Sequence, residues 1–399
     1  MLEGLRAGAR LPKAAFEEVK RRAVREAFKW NITDGGEERL CDYPLFVDRA
    51  TVRALSGYAA ALSREAELAE AELASRPRLQ LELGLPWRLG RALSRLRQPR
   101  GLRYCRFDFH PTLDGEVAIT EGNFDVAAGW NETSAVGAFF AEHVAESEPP
   151  DDPAERLAVR LVEKTGPGAT VGIMHLTQYT DDHQVARFLA SRFERHGLKV
   201  VFFDPTQLRR VGHRAGALVT ERVRPLDAVF RFFPAEWSSR LEGFEEWLEA
   251  AHGRDTLWLN PLRALFTESK RFPLTWPHLH AGLPTWSRLL PETRGPLFAR
   301  GEGWVLKPAF GHEGYRVTLA GTTSAERVRA HWRSARLMPW RWVAQRRFRA
   351  ASIATPDGPR FPVVGVYVVD GEPCGLYGRL SAAPLIDHRA QDVVVLVRR

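Results

Sequence analysis

Apolar residues in the first part of the chain recur every three or four positions, which is the period of an amphipathic α-helix. One such segment spans residues 13–30, with an apolar face made of Phe16, Val19, Ala23, Ala27 and Trp30. A longer one follows Asp48, a suitable N-cap, with apolar positions at Val52, Leu55, Ala59, Leu62 and Ala66. Shorter helices are predicted over residues 85–97 and 134–144. We therefore expect residues 1–150 to form a helical region around one hairpin.

The pattern changes after residues 147–153, a segment rich in proline and acid that we interpret as a linker. Asp152 and Pro153 suit the N-cap and first position of the next helix. Short apolar strands then surround a predicted helix over residues 182–196; these strands are 170–176, 198–203, 217–220 and 228–232. This spacing predicts a parallel, Rossmann-like unit over residues 151–257. No Gly-x-Gly-x-x-Gly follows the first strand, so we expect no dinucleotide site there.

Residues 258–399 are predicted to form a third region that is rich in strands. A helix is predicted around Lys270, within residues 267–272. An apolar strand beginning at Trp304 runs into a loop with two glycines, and residues 342–345 form another strand. Asp370-Gly371 is a hairpin signal between strands 362–369 and 373–379, and residues 393–397 form the last strand.

Asp114-Gly115 is a second two-residue hairpin signal, and it predicts that residues 104–109 fold back against residues 116–120. Such a hairpin brings Asp108 close to Glu121 and Asn123. Two carboxylates and an amide oxygen are ligands that suit Mg²⁺ with bound phosphate.

Arg106 shares a strand face with Asp108, because side chains alternate along a strand. Its guanidinium suits a phosphate or a carboxylate beside the metal. The alternative interpretation is a surface hairpin whose acids are solvated.

Three further residues carry candidate chemistry. Lys307 ends an apolar strand before Gly311 and Gly314, so its ammonium can lie near phosphates that the glycine backbone approaches closely. This loop is not a Walker motif, and a plain turn is the alternative. Lys270 is one of only seven lysines, and Arg379 ends a hairpin strand. Both could equally be solvated side chains.

These segments resemble the glutathionylspermidine synthase family of ATP-grasp carbon–nitrogen ligases. The resemblance rests on Arg-x-Asp and Glu-x-Asn-x-Asp within residues 106–125, and on Lys-Pro-x-x-Gly-x-Glu-Gly at residues 307–314. It also rests on Gly-Arg-Leu-Ser at residues 378–381, on Lys270 and on residues 231–237. It implies an α/β (α+β) ATP-grasp fold with a Rossmann-like pre-ATP-grasp domain. We expect the synthetase part alone, without the amidase domain of bifunctional members.

The resemblance also implies roles for individual residues. The implied ligands of Mg²⁺ are Asp108, Glu121 and Asn123. The implied ATP-binding residues are Lys270, Lys307, Gly311, Gly314 and Gln345, the last on the strand that precedes the adenine-binding hinge. Arg106 and Arg379 would be catalytic, stabilising the transferring phosphoryl group and an acyl phosphate.

The implied reaction uses MgATP to convert a carboxylate into an acyl phosphate, from which an amine displaces phosphate. The substrates would be a small-molecule or peptide carboxylate and an amine. One departure concerns glutathione: small hydroxyl residues that help to bind it in the family are replaced here by Val126, Ala127 and Ala128. Glutathione recognition is therefore in question, while the ATP chemistry is not.

Composition leaves two alternatives to a ligase. The formal net charge is +8 in 399 residues, which could indicate a nucleic-acid partner. The basic residues are spread along the chain without a run, so nucleic acid is an unlikely partner. A kinase-like phosphotransferase on the same fold is the other alternative.

We expect no membrane partner and a cytoplasmic location, since there is no long apolar run, no secretory signal and only three widely spaced cysteines.

Overall fold

A computed structural model of the protein describes residues 2–93, 101–299, 301–311 and 314–398. The two predicted N-terminal helices are present at Lys13–Glu26 and Arg49–Ala74. Asp48 caps the second helix, because its carboxylate accepts a hydrogen bond from the Thr51 backbone N at 2.6 Å. The first helix ends earlier than predicted, and Phe28 has a φ of 54° that turns the chain inward.

The helix predicted over residues 85–97 is present at Trp87–Leu93, and its remainder lies outside the described residues. The other α-helices are Pro77–Gln80, Gly137–Ala141, Pro153–Thr165, Thr180–Arg195, Phe244–Ala251, Leu265–Glu268, Pro284–Leu289 and Ala325–Leu337. Glu132–Val136 is a π-helical turn that leads into Gly137–Ala141. None of the helices in the described part of the chain is both long and apolar enough to cross a membrane.

Two antiparallel hairpins build the central sheet. We call Tyr104–Pro111 with Val117–Asn123 the N-terminal hairpin, and Gly358–Val369 with Glu372–Ser381 the C-terminal hairpin. They lie side by side, because the Tyr104–Pro111 strand pairs with the Gly358–Val369 strand. Ile353–Thr355 and Gln391–Val393 extend the sheet. Segments more than 200 residues apart in sequence therefore share one sheet.

The N-terminal hairpin differs in detail from its prediction. Its loop has five residues, 112–116, rather than two, and Gly115 takes a φ of 82° within it. Its register is irregular around Asp108, between Phe107 and Phe109. The Asp370-Gly371 turn of the C-terminal hairpin has two residues as predicted, with φ of 52° and 83°.

The predicted Rossmann-like unit contains a parallel sheet in the order Leu257–Leu259, Ala228–Phe232, Thr170–His175, Lys199–Phe203. The strand predicted over residues 217–220 does not belong to it. That segment lies in Arg214–Val219, the middle strand of a separate antiparallel sheet with Leu208–Val211 and Arg222–Pro225. Short hairpins with local turns make such a sheet independently of the crossover helices. The α/β fold class is confirmed.

Smaller sheets complete the architecture. Trp342–Arg346 pairs with both Trp304–Pro308 and Thr293–Arg294. The predicted linker also takes part, since Ser147–Glu148 pairs with Val395–Arg398 in a sheet with Leu5–Ala7 and Leu45–Val47. The predicted last strand is split at Val394, because its two parts join different sheets. Thr33–Asp34 and Glu37–Glu38 form a two-stranded ribbon.

A fully buried ion pair joins the N-terminal hairpin to the parallel sheet. Arg231 pairs with Asp125, and both side chains are inaccessible to solvent. Asp125 also accepts a hydrogen bond from the Ala235 backbone N at 2.8 Å. A buried charge is tolerated only when it is paired and hydrogen-bonded, as here. The pair therefore fixes the segment that follows Asn123.

Candidate active site

All ten residues predicted for the site line one cavity. They are Arg106, Asp108, Glu121, Asn123, Lys270, Lys307, Gly311, Gly314, Gln345 and Arg379. The walls come from both hairpins, from the Trp304–Pro308 and Trp342–Arg346 strands, and from the turn that contains Lys270. The structure thus brings together residues that are spread over more than 270 positions of sequence.

Arg106 and Asp108 form a bidentate ion pair on the floor of the cavity. Nε of Arg106 lies 2.7 Å from Oδ1 of Asp108, and Nη2 lies 2.9 Å from Oδ2. Nη1 donates to the Ala128 carbonyl, and the guanidinium lies 4.5 Å from the centroid of the Tyr377 ring. Burial disfavours the charge of Arg106, but Asp108 outweighs it, so the pKa of Arg106 stays well above its ordinary value.

Gly365 leaves the room that this ion pair occupies. It lies opposite Asp108 on the neighbouring strand. A Cβ atom at this position would be 2.6 Å from Oδ1 of Asp108 and 2.9 Å from Cδ of Arg106. Both distances are shorter than carbon contacts allow, so a side chain here would displace the pair.

Lys270 lies in the turn after the short helix Leu265–Glu268, and the prediction that it is helical is wrong. Ser269 takes an extended conformation, with ψ of 124°, which ends the helix. The backbone N of Lys270 then bonds the Ala309 carbonyl, and its Nζ enters the cavity 2.7 Å from Oε2 of Glu121. Burial opposes the charge of Lys270, but Glu121 and Glu268 outweigh burial and raise its pKa.

Lys307 has a different environment. Its Nζ donates to Oε1 of Gln345 at 2.7 Å and to the Thr120 carbonyl at 3.2 Å, which are neutral acceptors. Burial lowers the pKa of Lys307 to about 8; Glu121 opposes this shift and the charge of Lys270 adds to it. This ammonium is therefore set up to gain from an anion that enters the cavity.

The two glycines of the predicted loop hold it close to the C-terminal segment. Gly311 has a φ of 149° and Gly314 a φ of 69°, which favour glycine. The Gly311 carbonyl accepts a hydrogen bond from Nζ of Lys270 at 2.8 Å. A Cβ atom on Gly314 would lie 2.9 Å from the Ile386 carbonyl oxygen. The two intervening loop residues, His312 and Glu313, lie outside the described residues.

Arg379 projects from the C-terminal hairpin into the same cavity. Its Nη2 donates to the carbonyls of Asp387 and Ala390, at 2.9 and 3.0 Å. Its Nε lies 4.0 Å from Oδ1 of Asp392, and Tyr377 donates to the same oxygen at 2.7 Å. Asp392 therefore holds both an arginine and a tyrosine of the cavity wall.

Asp392 is itself held by a buried lysine. Nζ of Lys29 lies 2.9 Å from Oδ2 of Asp392 and also pairs with Glu132. Lys29 and Arg379 outweigh the effect of burial, so the pKa of Asp392 is lowered and it stays charged. The inward turn of the chain at Phe28 is what places Lys29 in this network.

The candidate metal ligands fit a hard cation by their chemistry, since Asp108, Glu121 and Asn123 line one cavity and each carries side-chain oxygen. Each carboxylate is paired with its own cation, Arg106 or Lys270. Nδ2 of Asn123 donates to Oδ2 of Asp108 at 3.2 Å, so its amide would rotate to present oxygen. No group of three or more His, Cys, Asp or Glu residues suited to a metal occurs in the described part of the chain. A magnesium ion here would complete its shell with water and, when ATP is bound, with phosphate oxygens.

Sequence reasoning assigned no role to several further residues of this cavity. His110 and Tyr377 line it, each two positions from a predicted residue on the same strand. Period-two alternation from Asp108 and Arg379 was the signal that could have identified them. Burial lowers the pKa of His110 to about 4, so the imidazole is neutral at pH 7. The contributions of Gly365 and Lys29 depend on contacts across strands and had no sequence signal.

We predict that Gly365→Ala lowers the free energy of unfolding by about 1–3 kcal/mol, because the added methyl group overpacks the Arg106–Asp108 pair. Urea denaturation measures this. Gly57→Ala is the matched control: it lies on an exposed turn of a helix with no atom within 4 Å of the new methyl group, so it should be neutral or stabilising. Equal stability of Gly365→Ala and the native protein would contradict the packing argument.

Comparison with known proteins identifies a family for the chain and a solved structure with a similar fold. The glutathionylspermidine synthase pre-ATP-grasp family matches residues 10–398. Among solved structures, a glutathione synthetase-like effector from Globodera pallida, in its apo form, superposes with a TM-score of 0.65. It is 13% identical over 96% of this chain and 97% of that chain. A putative gamma-glutamylcysteine synthetase from Methylobacillus flagellatus has a TM-score of 0.36 and 10% identity, over 83% of this chain and 84% of that chain. No curated protein matches the sequence.

These comparisons differ in weight. The second structure is too dissimilar to support an argument, and the effector shows a shared fold only. The family match, in contrast, spans almost the whole sequence and agrees with the motifs that line the cavity. The chain therefore belongs to the glutathionylspermidine synthase family and is a ligase of the ATP-grasp type.

Proposed function

We propose that the protein uses MgATP to join a carboxylate to an amine through an acyl-phosphate intermediate, releasing ADP and phosphate. The observation that carries this proposal is the charge arrangement of one cavity. Lys270, Lys307 and four arginines line the cavity together with the two carboxylates of Asp108 and Glu121; the four arginines are Arg106, Arg346, Arg347 and Arg379. Phosphoryl transfer depends mainly on positioning and on neutralising charge, which such a site supplies.

In this proposal Lys270 and Lys307 bind the ATP phosphates in the ground state. Lys307 gains most, since its present partners are neutral oxygens and its charge is disfavoured by burial. Lys270 contacts both Glu121 and the Gly311 carbonyl, so it links the glycine loop to the N-terminal hairpin. Mg²⁺ bound by Asp108, Glu121 and Asn123 would supply further neutralisation of the phosphates.

Arg379 is proposed to act on the reacting groups. A carboxylate oxygen of the substrate attacks the γ-phosphorus, and the bond to ADP breaks. In the transition state negative charge is spread over the oxygens of the transferring phosphoryl group and builds on the leaving ADP oxygen. Arg379, held in place by two backbone carbonyls and Asp392, is proposed to stabilise the charge on the transferring phosphoryl group. Arg106 supports the same region, fixed by Asp108 and by the Tyr377 ring. The amine nitrogen then attacks the acyl carbon, the bond from that carbon to the phosphate oxygen breaks, and the amine gives up one proton to the departing phosphate or to solvent.

Hydroxylamine trapping tests the reaction class directly. The protein is incubated with MgATP, hydroxylamine and individual carboxylates from a panel of small acids and peptides. A ligase forms ADP together with a hydroxamate, because hydroxylamine captures the acyl phosphate. ADP with a stable phosphorylated product and no hydroxamate would instead identify the phosphotransferase alternative. Lys307→Ala serves as the inactive control.

The affinity for ATP should fall as pH rises through 8. Below its pKa of about 8, Lys307 is protonated and attracts phosphate, and above it that charge is lost. We expect a decrease of about tenfold between pH 7 and pH 9 at fixed magnesium. Calorimetry at several pH values measures this.

Lys307→Arg is the control for this pH dependence, because a guanidinium stays charged throughout the range. It should bind ATP with a nearly constant affinity. If the ATP affinity of Lys307→Arg fell with rising pH as steeply as that of the native protein, the titrating group would be one other than Lys307.

Arg379→Ala should separate binding from chemistry. We expect ATP affinity within about a few-fold of the native value but a turnover lower by roughly 10²–10³, since an interaction made in the transition state mainly affects the rate. Arg379→Lys should not rescue, because a flexible point charge cannot replace a planar fork. Loss of ATP binding with normal turnover at saturation would contradict the assigned role.

Glutathione and spermidine are expected not to be substrates. Val126 and Ala128 line the cavity without a hydroxyl group, and the Ala128 carbonyl is used by Arg106 and Tyr367. A missing polar contact to a buried ligand group costs about 1–3 kcal/mol. Both compounds with MgATP should release no ADP above background. Formation of glutathionylspermidine, detected by mass spectrometry, would refute this expectation.

A further inference from the structure

A second groove opens beside the active-site cavity, and Gly311 and Tyr315 line both. We call it the aromatic groove. It is lined by residues within 84–88, 236–240 and 338–342, together with residues 308–311 at the start of the glycine loop. Lys270 donates hydrogen bonds to the carbonyls of Ala309 and Gly311, so this part of the groove adjoins the turn of Lys270.

The aromatic groove concentrates the exposed aromatic side chains. The described part of the chain exposes seven Phe, Tyr or Trp side chains, and four of them line this groove: Trp87, Trp237, Tyr315 and Trp340. Trp87 is 73% exposed and Trp340 52%. Large aromatic surfaces clustered at one place on a soluble protein indicate a binding surface.

The groove is also positively charged. Among the residues that the structure describes, four arginines and one carboxylate, that of Glu236, line the groove; the arginines are Arg88, Arg240, Arg316 and Arg341. The guanidinium of Arg316 stacks 4.9 Å from the centroid of the Trp342 ring, so part of the charge is fixed in direction. Arg88 also forms an ion pair with Glu245, whose Oε1 lies 3.0 Å from Nη2 of Arg88. The remaining excess of positive charge favours an anionic partner.

We propose that the aromatic groove binds an extended acidic peptide, whose carboxyl end enters the cavity past Gly311 as the carboxylate substrate. Indole rings pack on an extended backbone, and guanidinium groups pair with carboxylate side chains. The assignment of the bound end as substrate and the preference for a peptide over nucleic acid rest on the proposed function, whereas the measurement of peptide binding does not. Single-stranded nucleic acid would also suit arginine and aromatic groups, but its phosphodiesters offer no carboxylate to activate.

Fluorescence anisotropy tests the binding without nucleotide. The probe is a fluorescein-labelled hexapeptide of alternating glutamate and tyrosine with a free carboxyl end. The comparison probes are the same peptide with lysine in place of glutamate, and a labelled oligothymidylate of equal length. We expect saturable binding of the acidic peptide, weakened by salt, and no measurable binding of the lysine peptide.

Variants locate the site on the protein. Trp87→Ala/Trp340→Ala should lower the affinity for the acidic peptide by about tenfold or more, as removal of central aromatic anchors does in other interfaces. Arg341→Glu should act in the same direction and reduce the salt dependence. Tyr179→Ala is the matched control, because Tyr179 is an exposed aromatic residue outside the groove and should leave affinity unchanged. Circular dichroism and thermal melting confirm that each variant is folded.

Several results would overturn the inference. These are equal binding of acidic and lysine peptides, an unchanged affinity in Trp87→Ala/Trp340→Ala, or tighter binding of oligothymidylate in competition with the peptide. Self-association that the double variant abolishes would assign the groove to a second copy of the chain instead. Failure of hydroxamate formation would count against the proposed function alone, since peptide binding is measured without ATP.

Discussion

The arrangement of the site depends on one constraint, which is that charges buried in a cavity need partners. Arg106 is balanced by Asp108 and Lys270 by Glu121, while Arg379 lies near Asp392. Lys307 is hydrogen-bonded to neutral oxygens, and burial lowers its pKa. The cavity thus holds these four cations in a defined geometry before a ligand arrives, and the buried Lys307, hydrogen-bonded to neutral oxygens, would gain the most from an anion.

Two hairpins make this balance possible. The N-terminal hairpin supplies both carboxylates and one arginine, and the C-terminal hairpin supplies Arg379 and the glycine that makes room for the first ion pair. Because the two hairpins are neighbours in one sheet, the fold couples distant parts of the sequence at the site. The buried pair of Arg231 with Asp125 and the network around Lys29 connect the sheet to the rest of the molecule.

Much of this could be predicted from sequence, and the limits have physical causes. The hairpin signals, the parallel unit and the ten cavity residues follow from local patterns and family motifs. The loop of the N-terminal hairpin was mispredicted because Asp-Gly also occurs in longer turns. Lys270 was placed on a helix because the extended backbone at Ser269 depends on tertiary contacts. The space beneath Asp108 and the aromatic groove depend on how separate segments pack, which no single stretch of sequence encodes.

We propose that Asp108 and Glu121 bind magnesium together with the ATP phosphates, while they stay paired with Arg106 and Lys270. Calorimetric titration of ATP, with and without magnesium, tests it in the native protein and in Asp108→Ala/Glu121→Ala. Asp114→Ala/Glu116→Ala removes two exposed acids of the same hairpin loop and is the control. We expect magnesium-dependent binding in the native and control proteins, and no magnesium dependence in Asp108→Ala/Glu121→Ala. The same MgATP affinity and the same magnesium dependence in all three would contradict the account.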